Sequence, residues 1–250
     1  MTTDPPRVAL VTGAAGGLGV VLSAGLHAAG YCVALADLDV EAATAAALAL
    51  DPSGQTAAAL HLDVRDKPAW QDALAWVIDR WGAAHVLVNN AAMTAARPVM
   101  DIEPAEFDAV MAVNVRGTFL GSQVFGAHFR DQGHGRIVNL ASLAGQNGGT
   151  ATGAHYAASK GAILTLTKVF ARDLAAAGVT VNAIAPGPLD TPMVHRTVPP
   201  DRMPALRANI PVGAIGDPRF IATLVVQLAS LDAAFATGAT WDVNGGLFMR

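Results

Sequence analysis

The chain has 250 residues, 52% of them hydrophobic and 14% charged, a composition that can bury a large core in one α/β domain. A formal net charge of −4 with no basic run argues against nucleic-acid binding through a charged surface. The single cysteine, Cys32, excludes an internal disulfide and fits a reducing cytoplasm. No apolar run reaches the roughly 18 residues of a membrane span, and residues 1–7 lack the charged-then-apolar pattern of a leader.

Arg7–Thr12 is a short apolar run that reads as a strand buried on both faces. It leads into Thr12-Gly-Ala-Ala-Gly-Gly-Leu-Gly19, with glycines at 13, 17 and 19, and then a helical pattern to Gly30. Such a strand-to-helix turn lets backbone N–H groups approach a pyrophosphate, and the helix end adds partial positive charge. Tyr31–Ala36 is a second buried strand that ends at Asp37. A carboxylate there, about 20 residues past the glycines, accepts from both ribose hydroxyls of NAD and repels the 2′-phosphate of NADP. Neither Ala15 nor Leu38 offers a compensating cation, so NAD is expected over NADP.

Val40–Leu50 is an Ala-rich helix and Asp51–Gly54 a turn. Ala57–Leu62 reads as the third strand, delivering Asp63 and Val64 where an adenine would lie. Lys67–Trp81 places Trp70, Leu74, Val77, Ile78 and Trp81 at helical spacing as a core stripe, and Gly82 stops it. His85–Val88 is the fourth strand; the small residues after it, with Asn90 and Ala91, allow close packing of an adenosine. Pro104–Gly117 reads as a helix with Asn114 inside it, a structural hydrogen bonder or part of a proton path. Arg136–Ala141 is the fifth strand and delivers Ser142 at its carboxyl end, where ligands bind in α/β sheets.

Tyr156 and Lys160 stand four apart at the start of a helical segment running from about 154 to 177, and so share one face. A fixed ammonium beside a phenol favours the phenolate and is expected to lower its pKa from about 10. Such a pair exchanges a proton with an alcohol or ketone near neutrality. Val179–Ala185 is a sixth strand, followed by Pro186-Gly187-Pro188-Leu189-Asp190-Thr191. Prolines 192, 199, 200, 204 and 211 then break the pattern, and residues 188–216 read as a mobile lid. Pro218–Leu231 is a helix and Ala239–Val243 the last strand. The alternation implies an α/β fold: one doubly wound domain over residues 1–250, a seven-stranded parallel sheet with helices on both faces.

These motifs together resemble the short-chain dehydrogenase/reductase family from Val8 to Gly246. The resemblance rests on Thr12-Gly13…Gly17…Gly19, Asp63, Asn89-Asn90-Ala91, Asn114, Ser142, Tyr156…Lys160 and Pro186-Gly187…Thr191. One departure is Ala92, where the family usually has glycine. The resemblance implies a Rossmann-type domain and an NAD-dependent oxidoreductase interconverting a secondary alcohol and a ketone. It implies Tyr156 as acid and base, Ser142 as the holder of the substrate oxygen, and Lys160 on the nicotinamide ribose. It implies Asn114 as support for a water linking Lys160 to solvent. Thr191 and the backbone near Leu189 would hold the carboxamide, and Gly13, Leu18 and Gly19 would line the phosphate and ribose path. A homotetramer built on the helices near 104–131 and 154–177 is implied as well, and no metal.

Substrate identity is expected in residues 93–100, 143–155 and 188–212. Gln146, Asn147 and His155 are candidates for a polar substrate group, with a solvent-facing helix start as the plainer reading of His155. Arg196, Arg202 and Arg207 in the lid would grip an anionic group or form a solvated surface. Two alternatives stay open: a 3-oxoacyl-thioester reductase, against which Asp37 speaks, and a catalytically silent dinucleotide-binding regulator.

Overall fold

The computed structural model describes residues 7–149 and 152–250. Thr150 and Ala151 of the expected 143–155 substrate region, and the side chain of Arg196, lie outside the described residues. The first half alternates β1 (Val8–Thr12), α1 (Gly17–Ala28), β2 (Cys32–Asp37), α2 (Val40–Leu50), β3 (Ala57–His61), α3 (Lys67–Trp81) and β4 (Val86–Asn89). Then follow α4 (Pro104–Met111), a π-turn at Ala112–Arg116, α5 (Gly117–Gln132), β5 (Gly135–Leu140), the short α6 (Ala144–Asn147), α7 (Ala154–Leu174) and β6 (Val179–Pro186). The chain ends with α8 (Pro192–Thr197), α9 (Met203–Asn209), α10 (Pro218–Ala229) and β7 (Thr240–Val243).

The seven strands form one sheet in the order β3-β2-β1-β4-β5-β6-β7, and every pairing is parallel. Parallel strands carry helices on both faces and are apolar throughout; β1 and β6 are buried along their whole length. On one face Leu22 and Leu26 of α1, Ala43 and Ala47 of α2, and Val225 and Leu228 of α10 close over Val11, Val33 and Ile184. On the other, Trp70 and Val77 of α3, Phe125 and Phe129 of α5, and Leu174 of α7 cover Leu10, Leu87 and Ile137. Trp70 and Phe125 meet edge-on with centroids 6.0 Å apart, and the indole N–H donates to the Val64 carbonyl at 2.9 Å.

The sheet order reverses between β1 and β4, which opens a crevice at the carboxyl ends of the strands. Register fixes what reaches that crevice. Thr12 pairs with Ala36, so Asp37 emerges beside Gly13. Val11 pairs with Val88, so Asn90 also comes out level with the glycine turn. Two elements differ from the expected pattern. The helix expected over 104–117 is two α-segments joined by the π-turn and continues to Gln132. The proline-rich stretch after Thr191 folds into α8 and α9, because Pro192 and Pro204 occupy first-turn positions where a missing N–H costs nothing.

At the opposite, amino end of the strands, Arg7 and Arg136 cap the end of α10. Arg7 donates to the Ala229 carbonyl at 2.7 Å and Arg136 Nε to that of Ser230 at 3.0 Å. His134 is packed among these cations. Burial pushes its pKa down to about 4, helped by Arg136, Arg7 and His85. Its ordinary value is 6.5, so the unfolded chain binds the proton more readily. The stability it contributes is complete above about pH 6.5 and is lost as the pH falls through about 4. His134→Gln is therefore expected to flatten the fall in melting temperature across that window. Parallel melting curves for both proteins would disprove it.

Candidate active site

A cleft of about 750 Å³ opens at the carboxyl ends of the strands, with Gly13 and Asp37 toward one end and Ser142, Tyr156 and Lys160 toward the other. The glycine turn shapes its floor. Gly13 and Gly17 adopt left-handed φ of 65° and 54°. A Cβ at Gly19 would lie 2.0 Å from the Gly13 carbonyl oxygen, so only glycine lets α1 close down on the turn. Beyond Gly16 and Gly17 there is open space. The N-cap of α1 is Gly16, which offers no side-chain cap, and the first turn carries no acid. Its leading N–H groups are thereby left for an anion.

Thr12 secures the turn to the neighbouring strand. Its Oγ1 accepts the amides of Asn90 and Ala91, each at 3.0 Å, while Asn90 Nδ2 donates to the carbonyls of Thr12 and Gly13 at 2.9 and 3.1 Å. Asp37 Oδ2 accepts from Ala15 N at 2.9 Å and Oδ1 from Asp39 N at 3.1 Å. Each carboxylate oxygen keeps lone-pair capacity for a diol. Leu38 beside it is 55% exposed and brings no cation. Asp63 is paired with Arg65, whose forked hydrogen bonds hold that carboxyl below its ordinary range. Val64, Leu18, Ala91 and Ala92 also line the cleft, as do Pro186 at the end of β6 and Gly187, Leu189 and Thr191 after it. A glycine cradle, an uncapped helix start and a diol-accepting carboxylate on one cleft fit a dinucleotide.

At the other end, Lys160 is 2% exposed and donates to the Leu140 carbonyl at 2.6 Å. Its Nζ lies 5.6 Å from the centroid of the Tyr156 ring. Burial pulls its pKa down from 10.5 to about 8. Burial pushes the Tyr156 phenol above its ordinary 10, and the hydrogen bond with Ser142 works the other way. The Tyr–Lys spacing alone predicted a lowered phenol. The reason for the difference is geometric: the ammonium bonds a main-chain carbonyl and faces the ring, so desolvation of the phenol dominates.

Asn114 sits fully buried in the π-turn. Its Oδ1 accepts from Met93 N at 2.7 Å, and its Nδ2 donates to Met93 O and Ser159 Oγ, both at 2.9 Å. Ser159 Oγ in turn donates to the Tyr156 carbonyl at 2.7 Å. Both amide donors are thus bonded to protein, and Asn114 ties the loop after β4 to α7. It does not itself line the cleft, nor does Gly19, which acts from beneath through close packing.

Two expected substrate contacts are engaged elsewhere. Gln146 Nε2 donates to Asp242 at 2.5 Å. His155, read from sequence as facing solvent, is fully buried and bonds Glu106 at 3.0 Å. Glu106 lies 49 residues earlier, a pairing no local pattern announces. Neither Met93 nor Ser159 carries a sequence signal for its part in these bonds, and Thr12 stands in the sequence only as the first residue of the glycine motif, with no role attached. Thr12 alone had a local signal, as the hydroxyl at a strand end before the first glycine.

The family model of enoyl-(acyl carrier protein) reductases matches residues 13–248. An acetoacetyl-CoA reductase of Rhizobium meliloti is 40% identical, over 97% of this chain and 98% of the relative. A 2-(R)-hydroxypropyl-CoM dehydrogenase of Xanthobacter autotrophicus is 38% identical over 96% and 97%. A 3-oxoacyl-[acyl-carrier-protein] reductase of Vibrio harveyi is 35% identical over 97% and 98%. With full-length relatives of this kind on a doubly wound sheet bearing a glycine turn and a Tyr–Lys pair, the chain belongs to the short-chain dehydrogenase/reductase family of oxidoreductases.

Proposed function

We propose that this enzyme transfers hydride between NAD(H) and a secondary alcohol or ketone, with Tyr156 as the acid and base. The observation that carries the reading is the convergence of Ser142, Tyr156 and Lys160 on a cleft whose far end holds Asp37 and the glycine turn. The dinucleotide, when bound, supplies the hydride acceptor or donor. The protein's own groups do the rest. Ser142 holds the substrate oxygen beside the phenol, and Tyr156 takes the hydroxyl proton in oxidation or returns it in reduction. Lys160 holds the nicotinamide ribose and exchanges protons near neutrality. Gly13, Gly17, Leu18 and the start of α1 take the pyrophosphate and Asp37 the adenosine ribose. Asp63, Val64, Asn90 and Ala91 flank the adenine side, and Leu189 and Thr191 the carboxamide. Asp37 favours NAD over NADP.

The family and its relatives support a more specific substrate class as a second reading, an acyl thioester carrying a 3-oxo or 3-hydroxy group. Residues 188–216 would act as the substrate lid of a single catalytic domain. Both ends of this segment are pinned together: Asp190 N donates to the Gly216 carbonyl at 2.8 Å and Gly216 N to that of Pro188 at 2.9 Å. The outer face of α4, the π-turn, α5 and α7 bears Met111, Val115, Phe119 and Leu166 around a shallow depression, which suits the subunit contacts of a homotetramer; the single cysteine suits a cytoplasmic enzyme.

The test is the rate of NADH formation from NAD over aliphatic, cyclic, aryl and 3-hydroxyacyl-CoA alcohols, with the corresponding ketones and NADH or NADPH as the reverse assay. Turnover with a preference for NAD is the expected result. Inertness in both directions would return the reading to a silent dinucleotide binder, and a strong NADPH preference would favour the thioester reductase.

A further inference from the structure

α7 begins with a gap in its capping. Its N-cap residue is Gly153, which has no side chain to accept from the first-turn amides. Tyr156 is the third residue of the helix, so its N–H has no partner four residues back. The missing acceptor comes from His155. Its Nδ1 accepts the Tyr156 amide at 2.9 Å, better than the 3.1 Å contact of that amide with the Gly153 carbonyl. With Nδ1 accepting, the ring proton lies on Nε2, which donates to Glu106 Oε1 at 3.0 Å. Glu106 Oε2 meets Nε of Arg97 at 2.6 Å. The hydrogen bond from His155, with the Arg97 guanidinium, holds the Glu106 carboxyl below its ordinary range.

Gly153 itself records this exchange. Its φ of −68° suits any residue, so its backbone does not require glycine. A Cβ there would lie 2.3 Å from Cε1 and 2.7 Å from Nδ1 of His155, and 2.9 Å from the Ala95 carbonyl oxygen, which must shift slightly for any side chain at this position. The imidazole fills the space in which a capping side chain would stand, and it is oriented from outside the helix by Glu106 of α4. The same junction is fixed twice more, by Gly153 N to Ala95 O at 3.0 Å and by the Met93–Asn114–Ser159 bonds. Met93 lines the cleft. The start of the Tyr156 helix and one wall of the cleft are therefore held as a unit.

We propose that Glu106 and His155 are a positioning pair for Tyr156, fixing the phenol through its own backbone amide. This rests on Tyr156 being the proton-exchanging group. An error of about 1 Å in a reacting group costs on the order of 100-fold in rate, so an uncapped first turn registers in kcat.

The test compares the native protein with His155→Ala and with the double variant His155→Ala, Gly153→Ser, in which a serine at the N-cap can accept the same amide. Hydrogen exchange over residues 153–159 is followed in the free protein. NADH affinity is taken from fluorescence, and kcat and KM from 3-hydroxybutyryl-CoA or 1-phenylethanol. His155→Ala is expected to lose exchange protection and about tenfold or more in kcat, with NADH affinity held within about threefold. The double variant is expected to regain both protection and most of kcat. A kcat in His155→Ala within twofold of native overturns the proposal, as does a double variant that regains protection without kcat. If His155→Ala does not fold, Glu106→Ala leaves the imidazole in place and must show the same loss of kcat; an unchanged kcat there overturns the pair. Should the native protein turn over no alcohol or ketone of the panel above, the role of Tyr156 fails separately, and unaltered exchange in His155→Ala would still refute the cap.

Discussion

Lys160→Met is expected to lower kcat by about 100-fold or more and, at pH 7, to raise the melting temperature. Both effects come from one buried charge. Methionine matches the length of the lysine stem but removes the ammonium that bonds the Leu140 carbonyl and faces the Tyr156 ring. Without it no titrating cation stands beside the phenol, whose pKa burial raises against only the Ser142 hydrogen bond. The gain in stability follows from the sign of the lysine shift. Its pKa falls from 10.5 to about 8 on folding, so the unfolded chain binds that proton more tightly between those values. Native stability from this group is complete above about 10.5 and is lost as the pH falls through about 8. The penalty below pH 8 is on the order of 3 kcal/mol before the lost hydrogen bond is set against it. The variant should thus melt higher than the native protein at pH 7, with the gap closing toward pH 10. A variant that melts lower at pH 7 and keeps full kcat would contradict both halves. A functional group that costs stability is the usual trade in an active site.

The double substitution Asp37→Ser, Leu38→Arg is expected to move the kcat/KM ratio from NAD toward NADP by on the order of 1,000-fold, since a like charge against a phosphate costs several kcal/mol and an arginine adds a paired contact. Serine keeps a short acceptor for the Ala15 amide that Asp37 now binds. Leu38 lines the cleft and is 55% exposed, so an arginine there displaces no core. Kinetics with both cofactors at pH 7 decide the matter. An unchanged ratio would mean that the ribose is read elsewhere.

The sheet and the gathering of Gly13, Asp37 and Asn90 on one cleft are legible in the sequence because their signals are local. Apolar runs closed by glycine, aspartate or asparagine mark strand ends to within about a residue, and parallel register then carries Asp37 and Asn90 to the glycine turn. What escaped depends on contacts far apart in the chain. The π-turn at 112–116 keeps the same apolar spacing as a helix, and it is the Asn114 bonds to Met93 and Ser159 that distinguish it. His155 stands at a helix start, an exposed place in most helices, and only Glu106 explains its burial. The direction of the Tyr156 shift was misread for the same reason: spacing shows that a lysine is near but not how deeply both groups are desolvated.

The most direct measurement sets native protein beside Tyr156→Phe, at saturating NAD and with the alcohol that turns over best, and follows NADH by absorbance while NADH affinity is checked by fluorescence. Phenylalanine keeps the ring over Lys160 and removes only the hydroxyl. A loss of about 1,000-fold in kcat with cofactor affinity unchanged is the result expected of the residue that moves the proton. Turnover within tenfold of native would contradict the central claim and require another group to take that proton.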